Sequence, residues 1–265
     1  MTHIPLRFLA PGLAAVCLGL AIAPASALAQ PAGQGHAVGG GVRLAWLRVG
    51  SGPDPTSSLV AWAQELRLRT SVEMAAEPIG VRPEDPAMFQ YPLLYWSGDR
   101  VPARLSDGAV LNLRQHLSTG GMLIIDNAGR TEASAAFDAF VRKELARIIP
   151  QSLQRVPPAH VLFRSFYRLA HPVGRRADSH DIEGVRVGNH FAVLYTRDDL
   201  GGALARLPLG GYALTVVPGG EMQREQAFRL AVNVVLYALC LDYKDDHTHV
   251  MHLLRYRRGS RPTAP

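Results

Sequence analysis

The sequence predicts an α/β fold, a parallel sheet with helices on both faces. Three observations carry that prediction. From Val42 to Ile149, short strand-like runs alternate with segments whose apolar residues recur at helical spacing, as βαβ units do. One run, Met122–Ile125, is apolar at every position, follows Gly120-Gly121 and ends on Asp126-Asn127; a strand buried on both faces reads this way. Hydrophobic types make up 48% of 265 residues, enough for one sizeable core.

Taken in order, Val42–Val49 is the first strand, rich in β-branched and aromatic types, and Gly50–Pro55 is a turn. Thr56 or Ser57 caps a helix to Arg69 that buries Leu59, Trp62, Ala63, Leu66 and Leu68. Val72–Val81 is extended, and Pro83–Pro86 opens a short helical turn that carries Met88 and Phe89 inward. Pro92–Ser97 is the third strand, closed by Gly98-Asp99-Arg100. Ser106-Asp107 opens a helix with Val110, Leu111, Leu113 and Leu117 at helical spacing, stopped by Gly120-Gly121. After the strand Met122–Ile125, a helix over Ala133–Ile149 gathers Phe137, Phe140, Val141, Leu145 and Ile148 on one face. Pro150–His171 is irregular, and Val173–His180 is an Arg-rich surface loop. Gly184–Thr196 forms a hairpin that turns at Gly188-Asn189. Tyr212–Val217 reads as a strand or a loop, and Gln223–Leu241 as the longest helix, with Cys240 as a small core residue.

The flanks read differently. Residues 1–29 form an export signal, with Arg7, an apolar run over Leu9–Ile22 and a small-x-small site at Ala27–Ala29. Cleavage after Ala29 places the protein in the periplasm or outside the cell; an uncleaved signal would anchor it instead. Residues 30–41 are a linker, 42–243 a single α/β domain, and 244–265 a charged tail rich in His and Arg. After cleavage no transmembrane helix is expected, and Cys240 alone makes no internal disulfide.

The formal charge of +6 comes almost wholly from arginine. No base-stacking aromatic pattern accompanies it, so nucleic acid is not an expected partner. Gly50-Ser51-Gly52 completes neither dinucleotide nor phosphate-loop pattern, and Pro53 and Pro55 spoil a backbone cradle. No cofactor is expected. The candidate ligand-binding residues are Asp99, Asp126, Asn127, Arg130, Asp198 and Asp199, at strand ends where open α/β sheets bind ligands. Asp126 and Asn127 otherwise cap the next turn, and of the adjacent Asp198 and Asp199 one is solvated or capping. Asp126 and Asp199 are the candidate catalytic pair, expected to converge over one sheet edge. His247, His249 and His252 lack a metal-protease spacing, so no metal site is assigned; His160 and His190 read as local hydrogen-bond partners.

The segments RLAWLRVG, LRLRTSVEMAAEPIGV, FQYPLLYWSGD, LSDGAVLNLRQHLSTGGMLIIDNAG, PPAHVLFRSFYRL, IEGVRVGNHFAVLYTRDDLGG and REQAFRLAVNVVLYAL resemble, in order, a bacterial family catalogued as domain of unknown function 4159. That resemblance covers nearly the whole chain after the signal. The family is similar in fold to class I glutamine amidotransferases, which implies a flavodoxin-like sheet, here with an added β-hairpin. In amidotransferases a strand runs into a G-x-C-x-G turn whose Cys attacks an amide. Laid on IIDNAGR, that position falls on Asn127, with Gly129 as the last glycine. The nucleophile is missing, and no His-x-Glu pair stands near the end of the sheet to act as its base. Two functions follow as expectations. The first is an exported, non-catalytic binding or interaction module on a degenerate amidotransferase-like fold, with an envelope protein as a conceivable partner. The second is a carboxylate- or metal-dependent hydrolase that uses Asp126 and Asp199.

Overall fold

The computed structural model describes residues 41–50 and 52–259, with side chains as far as residue 240. The expected signal and, but for Gly41, the expected linker lie outside the described residues, as do the side chains of His247, His249 and His252. The strands are β1 (Ala45–Leu47), β2 (Ile79–Val81), β3 (Leu93–Gly98), β4 (Met122–Asn127), β5 (Gln154–Arg155), β6 (Ile182–Val187) and β7 (His190–Thr196). They form one sheet in the order β2-β1-β3-β4-β7-β6-β5. The first five in that order pair in parallel, and β6 and β5 add antiparallel. The five parallel strands follow the flavodoxin-type order. The hairpin of β6 and β7 is therefore more than an addition, because its returning strand is the fifth parallel strand, directly beside β4.

The helices are α1 (Thr56–Arg69), α2 (Asp107–Ser118), α3 (Thr131–Ile148), α4 (Leu200–Leu204) and α5 (Gly220–Gly259). They split between the two faces. Leu59, Trp62 and Leu66 of α1, Leu200 and Leu204 of α4, and Phe228 to Ala238 of α5 pack with Tyr95, Met122 and Ile124. Leu113 and Leu117 of α2 and Phe137, Val141 and Leu145 of α3 pack with Trp96, Leu123 and Ile125. The period-two alternation of β4 separates the two cores, and every residue of β4 is buried.

Several local expectations change. The cap of α1 is supplied earlier than Thr56: Asp54 accepts the Thr56 amide at 2.8 Å, since a carboxylate two residues ahead reaches the free N–H groups of the first turn. The Thr56 hydrogen bonds hold the Asp54 carboxyl below its ordinary range. Ser106 does cap α2, accepting from the Ala109 amide at 3.1 Å. Leu111 and Leu68 are exposed; each lies off the buried stripe of its helix. Tyr212–Val217 is a loop, in which Tyr212 forms an isolated bridge with Arg206. Cys240 is exposed rather than in the core, because the buried stripe of α5 passes through Tyr237 and Ala238 and turns away. The backbone of α5 runs helical to Gly259. No helix among the described residues is long and apolar enough to cross a membrane.

Candidate functional site

β4 extends two residues beyond its apolar run, so Asp126 and Asn127 are strand residues paired with Ser97 and Gly98 of β3. Alternation turns them to opposite faces. Asp126 faces α4 and is fully buried. Its oxygens accept from Tyr95 Oη at 2.6 Å and from the amides of Leu200 at 2.9 Å and Gly201 at 2.7 Å. Those amides open a helix and attract a carboxylate. Burial first, then the nearby charge of Asp199, raises the Asp126 carboxyl above its ordinary value, while these hydrogen bonds pull the other way. Asn127 faces α3. Its Nδ2 donates to Ser134 O at 2.9 Å and Tyr195 Oη at 3.1 Å, and its Oδ1 accepts from the Gly129 amide at 3.1 Å.

The segment after β7 carries the second pair of carboxylates. Asp199 adopts a left-handed conformation (φ 55°) and caps α4 through the Gly202 amide at 3.0 Å. Its other oxygen takes the Nε of Arg175, and both side chains are buried. Asp198 points away from α4 and accepts from the amides of Asp178 at 3.1 Å and Ser179 at 3.0 Å. Burial raises its carboxyl above the ordinary value. The chain over 173–176 lies against this strand end, with the Arg175 and Arg176 amides donating to Asp199 O and Asp198 O, both at 2.9 Å. Gly174 permits the approach, since a Cβ there would stand 2.2 Å from Asp198 O.

Next to this buried cluster lies an open cleft of about 810 Å³, within the usual range for small-ligand sites. One wall is Gly129, Arg130, Thr131 and Ser134 at the start of α3; the floor holds Arg175, Arg176 and Asp178; the far wall is the loop Ala213–Thr215 with Val217. A Cβ at Gly129 would lie 2.8 Å from the Ser134 amide, so glycine lets the chain fold closely over the helix start. The far wall is pinned by its backbone. Arg224 Nη2 donates to Leu214 O at 2.9 Å, Ala213 N to Ala205 O at 2.9 Å, and Val217 N to Arg175 O at 2.9 Å.

A family model matches residues 43–239. The chain belongs to the family described as domain of unknown function (DUF4159). No curated protein matches the sequence. The matched stretch of this DUF4159 chain runs from before β1 into α5 and includes every residue that lines the cleft.

In the DUF4159 domain the candidate residues fall into three groups. Asp126 and Asp199 are brought together on either side of the α4 amides, but neither lines the cleft. Asn127 and Asp198 are buried beside them, bound to neighbouring backbone. Arg130 reaches the cleft and is exposed. Asp99 stands apart at the end of β3, paired with Arg100 at 2.9 Å. Sequence reasoning passed over Arg175, Arg176 and the loop 213–217. The one local signal was a glycine directly before two arginines, within a stretch read as surface loop. His160 accepts the Leu162 amide at 3.2 Å and packs on Phe191 and Tyr237. Among the described residues no cluster of three or more His, Cys, Asp or Glu is placed to hold a metal.

Proposed function

We propose that the domain is a non-catalytic binding module whose ligand enters the cleft beside β4. One observation carries this reading: the carboxylates of Asp126 and Asp199 are consumed as internal caps and ion-pair partners. A group that must take or give a proton needs access to the reacting atom; here the open space belongs to the neighbouring residues. The delivery route goes with the sequence, which carries an export signal cut after Ala29, so the module works in the periplasm or outside the cell, with an envelope protein as its partner. An intact mass starting at Gln30 supports that route, and exported protein that retains Met1 refutes it.

A second reading, a carboxylate- or metal-dependent hydrolase, is favoured by the raised Asp126 carboxyl beside Asp199, the pattern that separates an acid from a base. Thermal melting of the mature protein and of Asp126→Asn with magnesium, calcium and zinc separates the two. The binding-module reading expects no metal-dependent rise in Tm in either protein. A rise in the parent that disappears in Asp126→Asn would move the assignment to the hydrolase.

A further inference from the structure

We propose that the cleft takes a small anionic amphiphile, an oxyanion head on a short apolar body. The head lies among Arg130, the terminal nitrogens of Arg175 and the first amides of α3; the body lies along Leu214 and Val217. This deepens the binding-module reading and rests on it.

The cationic side is built, and only part of it is spent. Arg176 is occupied, its Nη2 donating to Asn127 O at 3.1 Å and Arg197 O at 3.0 Å, with Asp178 2.9 Å from its Nε. Arg175 gives its Nε to Asp199, and its side chain is 7% exposed. Its two terminal nitrogens make no hydrogen bond to any described residue, although Arg175 lines the cleft. A guanidinium held at one edge presents its remaining donors in a fixed fork suited to an oxyanion. Arg130 is exposed and has no ion-pair partner among the described residues.

The start of α3 adds further donors. Arg130 occupies the N-cap position without a side-chain cap bond. The Ala133 and Ser134 amides return to Arg130 O, while those of Thr131 and Glu132 have no acceptor among the described residues. The helix is 18 residues long, so its N-terminal partial charge is well developed. Asp199 matches Arg175 and Asp178 matches Arg176. The charge left over is that of Arg130 with the helix start, about one and a half positive charges, which suits a carboxylate or a phosphate monoester rather than a polyphosphate.

The loop over 213–217, joined to Arg175 through the Val217 amide, carries the exposed apolar side chains of the lining. Leu214 is 41% and Val217 49% exposed, while their backbones are fixed by Arg224 and Arg175. Apolar side chains kept at the surface on a fixed wall gain from a ligand that covers them. An inorganic ion would leave that wall bare, and a neutral lipid would leave Arg130 and the Arg175 fork without an acceptor.

Calorimetric titration of the mature protein tests this with decyl phosphate and decanoate below their micelle thresholds, against inorganic phosphate and decanol. The expected result is that one or both amphiphiles bind about ten-fold tighter than either control; which of the two is preferred separates a phosphate from a carboxylate head. Arg130→Gln weakens the amphiphiles by about ten-fold, the worth of one charge-assisted contact. Leu214→Ser weakens the amphiphiles and leaves inorganic phosphate unchanged. Both residues are exposed, and melting of each variant checks that it folds. Amphiphiles no tighter than the controls, or indifferent to Arg130→Gln, overturn the assignment of ligand class and leave the non-catalytic reading in place. Release of inorganic phosphate from decyl phosphate by water, lost in Asp126→Asn, would instead overturn the non-catalytic reading while the ligand class stood.

Discussion

Two crevices open at the carboxyl end of the sheet, and they have opposite fates. Sheets of this strand order hold ligands where the crossovers diverge, between the first and third strands. Here that crevice, bordered by Val49, Gly52, Ser97, Gly98 and Phe137, contains about 10 Å³ of free space. The Phe137 ring of α3 fills it, lying so close that a Cβ on Gly98 would sit 2.1 Å from the ring. Two strands along, at β4, the cleft of about 810 Å³ stays open. The difference comes from which side chains α3 directs to each place: an aromatic anchor to the first, an unspent helix start to the second. Topology nominates a crevice, and the side chains decide whether it is usable.

The comparison can be broken at three points. The largest effect is expected at the closed crevice. Phe137→Ala removes a fully buried ring and should cost about 3–5 kcal/mol, read as a lower urea midpoint. A near-neutral result would mean that the ring is a removable plug. Next comes the floor of the open cleft. Gly174→Ala forces a methyl against Asp198 O and should cost about 1–3 kcal/mol, with the cleft widening as 173–176 moves off the strand end. Unchanged stability would show that Arg175 is not held by that close approach.

The third point is a slope with pH. Asp126 holds its proton more tightly when folded, to about 7 against an ordinary 3.8. The folded state then binds more protons than the unfolded chain between those values, so this group's contribution to stability is full below about pH 4 and is lost as pH rises towards 7. Urea midpoints at intervals across that window should fall less steeply in Asp126→Asn than in the parent. Equal slopes would mean that the α4 amides hold Asp126 ionised at every pH in the window.

The framework was legible because its signals are local. The Ser106 cap, the Gly120-Gly121 stop and the alternating strand–helix pattern each lie within a few residues of the element they define, and the match to residues 43–239 agrees with the segments that suggested the family. The position of Asp126 was legible for the same reason, and so was its nearness to Asp199. Its partners were not. Tyr95 lies 31 residues before it and Gly201 75 residues after it, and no periodicity reports such pairings. The cleft was hidden by the same distance effect: Arg175 and Val217 are joined by one backbone hydrogen bond between a stretch that reads as surface loop and one that reads as strand or loop. Cys240 shows the converse limit, since an apolar helix does not say where its buried stripe ends.

Arg224 has a consequence for how this domain can change over time. Its guanidinium donates to Ala203 O and Leu214 O and lies 3.7 Å from the centre of the Tyr212 ring. Two of those three contacts recognise carbonyl groups, which every amino acid possesses. The anchor therefore sets the path of the loop without restricting the side chains at 213, 214 and 215. Substitutions at those positions would retune what the cleft prefers without rebuilding its frame.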